Sequence, residues 1–210
     1  MRKIMLTGAI LIATVMMVIG QADYKMMELV YLKPIPGVDL DEAVKAIADH
    51  NRKFHAEEPF KATVWSNMTG SMVGTWVWVM YPGTFTDYDG RPGGKDHDGD
   101  WDKAVLPYFT LVANEYWKED DKLSYYPEER KDGDKVVFTV FDIKPGESYR
   151  FKALLKKVHE VYKEKAYDRN FSVYYNQFEN KCGRDVAIEV MFDKWAFLDE
   201  DHSMKNDFEE

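Results

Sequence analysis

The sequence predicts an α+β fold built from two tandem β-α-β-β units, and three observations lead there. One pattern occurs twice, at a spacing of roughly 110 residues, which suits tandem domains and not a short solenoid repeat. In each copy an apolar run ends at a Pro-Gly pair, Pro36-Gly37 and Pro145-Gly146. Each pair is followed by apolar residues at helical spacing and then by two short alternating runs, as expected of an amphipathic helix lying on a half-buried sheet.

In the first copy, residues 28–34 form the first strand. Leu40, Ala43, Val44, Ile47, Asn51 and Phe54 recur at helical spacing, with Asp39 or Asp41 available as the cap. Residues 60–67 and 75–81 are the next two strands. In the latter, Val77, Val79 and Tyr81 point one way and Trp76, Trp78 and Met80 the other. The aliphatic set is expected to face the helix, which leaves the tryptophans to be covered by a second sheet or a ligand. Beyond Phe85 and an Asp- and Gly-rich loop, a second helix is expected from Trp101 to Trp117, kinked or restarted at Pro107, then a short strand over 123–126. This completes β-α-β-β-α-β, the ferredoxin-like order.

The second copy runs through a strand from Val137 and a helix carrying Phe151, Leu154, Leu155, Val158 and Tyr162. Strands follow at 171–176 and 185–192. Ile188, Val190 and Phe192 are expected to face the helix, with Ala187, Glu189 and Met191 opposite. Asn67 answers Asn176, and Val79-Met80-Tyr81 answers Val190-Met191-Phe192. Past residue 200 only a short incipient helix is expected, so the second copy is read as incomplete: a C-terminal truncation, or a unit that borrows its last elements from a partner chain. The expected domains are a signal peptide over 1–22, a first ferredoxin-like repeat over 23–130 and a second over 131–210.

Arg2 and Lys3, an apolar run from Ile4 to Ile19 and Gly20-Gln21-Ala22 have the build of a secretory signal, which places the protein in the periplasm or outside the cell. Its removal makes the formal charge of −9 more negative by two. Such acidity argues against nucleic acid, whose phosphates need Lys and Arg. The apolar run is short for a spanning helix, so no integral membrane protein is expected after cleavage. Cys182 is the single cysteine, which excludes an intrachain disulfide.

On its two β-α-β-β units with Pro-Gly between first strand and helix, the chain resembles the dimeric α/β-barrel superfamily over roughly residues 26–200. That group includes antibiotic-biosynthesis-type monooxygenases, EthD-like and NIPSNAP-like proteins and haem-degrading enzymes. The resemblance is one of architecture and brings no catalytic motif with it. It implies sheets closing face to face into a barrel, here as a pseudo-dimer within one chain. Ligands are then expected between a sheet and its helices or inside the barrel.

The candidate ligand-binding residues are Trp65, Asn67, Trp76, Trp78, Met80, Tyr174 and Asn176, an aromatic set with two amides suited to a flat or sugar-like organic molecule. Alternatively the tryptophans are intersheet core and both asparagines satisfy hairpin backbone. Glu189, flanked by Ile188 and Val190, is a candidate acid or base, its carboxyl raised by burial, unless it is paired. His50 and His55 are candidate proton carriers or axial haem ligands, although a spacing of five does not set them on one helical face for a metal. His159 lies on the second helix. Asp96, Asp98 and Asp100 make calcium imaginable, but the loop departs from the EF-hand pattern at Trp101 and Pro107.

The leading function is therefore an exported protein that binds a small organic ligand, possible as a homodimer, with the cofactor unknown. A cofactor-independent monooxygenase or haem-handling enzyme is the second reading. A structural or interaction module of the cell envelope is the third.

Overall fold

The computed structural model describes residues 23–128, 133–178 and 183–200. The expected signal segment, Cys182 and residues 201–210 lie outside the described residues. Among the described residues no helix is long and apolar enough to cross a membrane.

Strand β1 (Met26–Pro34) is buried along both faces from Met26 to Leu32, because it lies at the centre of its sheet between two antiparallel neighbours. A turn with Gly37 in the left-handed region leads to α1 (Leu40–Phe54); Gly146 repeats that conformation after β5 (Lys135–Phe141). Asp39 caps α1, its Oδ1 accepting from the Asp41 and Glu42 amides. Asp41 and Glu42 in the first turn and Arg52 and Lys53 in the last complement the helix dipole. The buried side of α1 is Ala43, Ile47 and His50.

Strands β2 (Ala62–Ser66) and β3 (Trp76–Gly83) form a hairpin beside β1, and β4 (Phe109–Glu119) pairs on its other side. The remaining elements are α4 (Ser148–Glu164), β6 (Ser172–Asn176) and β7 (Val186–Phe192). The seven strands make one antiparallel sheet in the order β2-β3-β1-β4-β6-β7-β5. The sheet is curled: on its inner face Met27, Leu29, Tyr31 and Val77 pack in one cluster with Trp117, Tyr174 and Ala187. On the outer face α1 covers the first four strands and α4 the last three.

Three expectations are corrected. Trp76, Trp78 and Met80 pack on the α1 side with Val30, Leu32 and Ile47, while Val77 and Val79 face inward. On the α1 side the Trp78 indole N–H finds an acceptor in Asn51 of the helix, and Trp76 packs against Phe109. In β7, Ile188 and Val190 face α4 and Ala187 lies inside, as expected. Equating Val79-Met80-Tyr81 with Val190-Met191-Phe192 was therefore out by one residue, and a slip of one exchanges the faces.

The second correction is the helix expected to Trp117. The chain is helical only to Tyr108, and β4 takes Phe109 to Glu119. Pro107 ends the helix, and Phe109, Thr110, Val112, Tyr116 and Trp117 favour the extended chain. Third, no strand forms over 123–126; Tyr125 makes a single bridge to Phe171.

Candidate functional site

After β3 the backbone is turned by a capping box, Thr84 with Asp87, into the short helix α2 (Phe85–Tyr88). A Gly-rich turn then sends α3 (Gly94–Asp100) across the outer face of the sheet. It runs on as a π-helical turn over Trp101–Val105, a wide turn often found at functional sites. Between this segment and β1, β3 and β4 lies a cleft of about 340 Å³, walled by Trp78 and Trp101.

At its floor is Glu28, 1% exposed. Arg91 Nη1 donates to Oε2 at 2.9 Å, and Asn114 Nδ2 and Tyr116 Oη donate to Oε1, each at 2.9 Å. Three donors, one of them a guanidinium, offset the desolvation of the carboxylate. Burial, then the Glu28 charge, pushes the Tyr116 hydroxyl above its ordinary pKa. The Tyr88 hydroxyl is shifted the same way for the same two reasons.

Beside the floor three histidines meet. His50 comes from the buried side of α1, His55 caps the C-terminus of that helix and His97 comes from α3. Their ring centroids lie 5.0–5.4 Å apart. His50 Nδ1 bonds Asp100 Oδ2 at 2.9 Å, His55 Nδ1 the Phe60 carbonyl at 3.0 Å and His97 Nδ1 Asp98 Oδ1 at 2.8 Å. His55 Nε2 and His97 Nε2 are 3.0 Å apart, and His50 Nε2 is buried without a hydrogen-bond partner. Burial, reinforced by the neighbouring rings, lowers the His55 pKa to about 4, and burial lowers that of His50. The hydrogen bonds from His97 and His50 hold the Asp98 and Asp100 carboxyls below their ordinary range. His50 and His55 are thus held toward the neutral form, and Asp98 and Asp100 toward the ionised one.

Each ring is closed in by its neighbours: His50 touches Phe54 and Trp101 besides the two other histidines. Nitrogens that face one another leave no slot for a flat macrocycle, so a haem with His50, His55 or His97 as axial ligand does not fit this arrangement.

The structure brings His50 and His55 together because helical spacing stops governing the chain at Phe54. His55 has left the helix, with φ −133° and ψ 34°. Asp98 and Asp100 each bond a histidine and do not converge on a shared cation; Asp96 is exposed. Trp78 walls the cleft, and its Nε1 donates to Asn51 at 2.8 Å. Trp76 and Met80 pack under α1.

Trp65, Asn67 and Glu189 line a different cavity, about 410 Å³, at the mouth of the inner face between β2 and β5. Tyr174 lies deeper on that face, its hydroxyl raised by burial and then by Glu189. Asn67 Nδ2 donates to Thr75 Oγ1 and Asn176 Nδ2 to the Arg184 carbonyl, so both brace hairpins. His159 Nδ1 meets the Ser124 carbonyl on the α4 side. Sequence reasoning assigned no role to Glu28, Arg91, Tyr116 or His97. Glu28 carried the same signal as Glu189, a carboxylate inside an apolar strand.

No family model matches the sequence, and no curated protein matches it. Solved structures do match in fold. A candidate monooxygenase of Fusobacterium nucleatum superposes with a TM-score of 0.55 at 15% identity, covering 84% of this chain and 79% of that one. A candidate chlorite dismutase gives 0.53 at 10% identity over 84% and 82%. The chlorite dismutase of Candidatus Nitrospira defluvii, in a mutant form, gives 0.50 at 10% over 89% and 82%. At such identities the likeness is one of fold, a curled antiparallel sheet with helices on its outer face, and it agrees with the architecture expected from the sequence.

Proposed function

We propose that this chain, folded as a dimeric α/β-barrel protein, binds a small organic molecule in the cleft between the sheet and α3. One observation carries the reading: aromatic walls, Trp78 and Trp101, enclose a space on which the buried hydrogen-bonding groups Glu28, His55 and His97 converge, with the half-buried Tyr116 beside them. Arg91, at the same cleft, would meet an acceptor group of the ligand. Export through residues 1–22 and assembly as a homodimer belong to this proposal. So does the view of 23–130 and 131–210 as two copies of one unit. The order β2-β3-β1 echoed by β6-β7-β5 supports it.

The second reading is an enzyme. A buried carboxylate and imidazoles are proton-transfer groups, and the fold neighbours bear the names monooxygenase and chlorite dismutase. A haem-handling role with His50, His55 or His97 as axial ligand is disfavoured by the packing of these three rings. A ligand at the mouth of the inner face, against Trp65, Asn67 and Glu189, is favoured by that cavity's larger volume, about 410 Å³.

Native mass spectrometry of the protein from its own compartment, against a denatured control, decides among these. The expected result is a small mass that leaves on denaturation, is lost from Trp101→Ala and is retained by Trp65→Ala. A bare wild-type chain, or loss in Trp65→Ala alone, overturns the cleft reading.

A further inference from the structure

The three imidazoles pose a proton-counting problem. Each Nδ1 faces an acceptor: the Asp100 carboxylate, the Asp98 carboxylate or the Phe60 carbonyl. An acceptor there calls for the proton on Nδ1, so a neutral ring keeps a bare lone pair on Nε2. Yet the Nε2 atoms of His55 and His97 confront each other at 3.0 Å, and His50 Nε2 is buried and orphaned. Two lone pairs at that distance repel, and a buried polar atom left without a partner is destabilising. A cation among the three nitrogens removes both penalties.

We propose that His50, His55 and His97 bind one late first-row divalent metal ion, zinc or copper, through their Nε2 atoms. One ring nitrogen from each lies within 4.8 Å of the others. A tetrahedral ion with metal–nitrogen bonds of about 2.0–2.1 Å holds its ligands about 3.3–3.4 Å apart. The close pair therefore opens by a few tenths of an ångström, and the widest separation closes. Three imidazoles without thiolate or carboxylate ligands suit zinc, copper or nickel and not calcium or magnesium, which ask for oxygen.

The surroundings are those of a metal centre. Each Nδ1–H is fixed by an acceptor, the arrangement that orients ligating histidines and raises their basicity. Asp100 is held in turn by Lys53 Nζ at 3.0 Å. Helix α3 thus delivers both a ligand, His97, and the carboxylate that positions another, His50. His55 and His97 also line the cleft, so the fourth coordination position opens onto it and is free for water or a small molecule. The site goes beyond the ligand reading and stands without it.

The test uses the full chain, stripped with a chelator and titrated calorimetrically with zinc chloride, copper sulfate and magnesium chloride in separate runs. One equivalent of zinc or copper should bind and magnesium should not. Asp100→Asn, a positioning change, should weaken binding about 10- to 100-fold. His97→Ala should weaken it further while circular dichroism stays unchanged. Cobalt substitution of the wild-type chain should give the intense visible bands of a four-coordinate site with three nitrogen ligands, a readout that needs no variant. Absence of stoichiometric zinc or copper binding overturns the proposal, and so does binding that His97→Ala leaves intact or a six-coordinate cobalt spectrum. None of these measurements involves an organic ligand, so failure here and failure of the cleft reading are told apart.

Discussion

Burial sets the ionisation of single side chains on both faces of the sheet. Tyr31 and Tyr174 on the inner face and Tyr88 on the outer one have hydroxyls raised above the ordinary value of 10.0, burial being the first cause in each. Neighbouring carboxylates add to it: Glu115 for Tyr31, Glu189 for Tyr174 and Glu28 for Tyr88. A folded-state pKa above the unfolded one means stability is complete below pH 10 and is lost as the pH rises beyond it, because only the unfolded chain ionises there. Titration of tyrosine absorbance should show a group of phenols that ionise only together with unfolding. Reversible ionisation of every tyrosine near pH 10 would contradict the buried assignment. At this scale the sequence was partly legible. Glu28 could have been found by the reasoning applied to Glu189. The meeting of His50 with His55 could not, because helical geometry was assumed one residue past the point where the helix ends.

Elements with a strong period were legible to within a residue or two. The α1 pattern and its Asp39 cap match Leu40–Phe54 as observed, since the apolar spacing and the capping chemistry agree. The segment after Pro107 was misread because the helix that begins before it was continued through the proline. Its β-branched and aromatic content and its place between β1 and β6 decide for the strand. Trp117 supplies the test. In β4 it is fully buried against Phe138 and its Nε1 donates to Glu115 at 3.0 Å. Trp117→Ala should therefore cost about 3–5 kcal/mol in urea unfolding. A loss below about 1 kcal/mol, usual for a surface position, would count against β4 as the partner of both halves.

For the molecule as a whole, β2 and β5 are the outer strands of the sheet among the described residues, and unpaired edges are surfaces that proteins cover or block. The homodimer reading predicts twice the chain mass in light scattering after size exclusion; a monomer at all concentrations would reject it. The sequence by itself determined the α+β class, the order of most elements, the two Pro-Gly turns and part of the buried side of each long helix, Ala43 and Ile47 in one and Leu155 in the other, while Leu40, Val44 and Leu154 are exposed. Those follow from local rules: spacing, capping and turn chemistry act within a few residues. Only the tertiary structure decided which face of β3 meets α1, that β4 joins the two halves into one sheet, and that His50, His55 and His97 share a site with Glu28 across a cleft. Face choice depends on the partners that lie opposite, and the site gathers residues from three separate elements. Neither quantity is carried by the residues near any one of them in the chain.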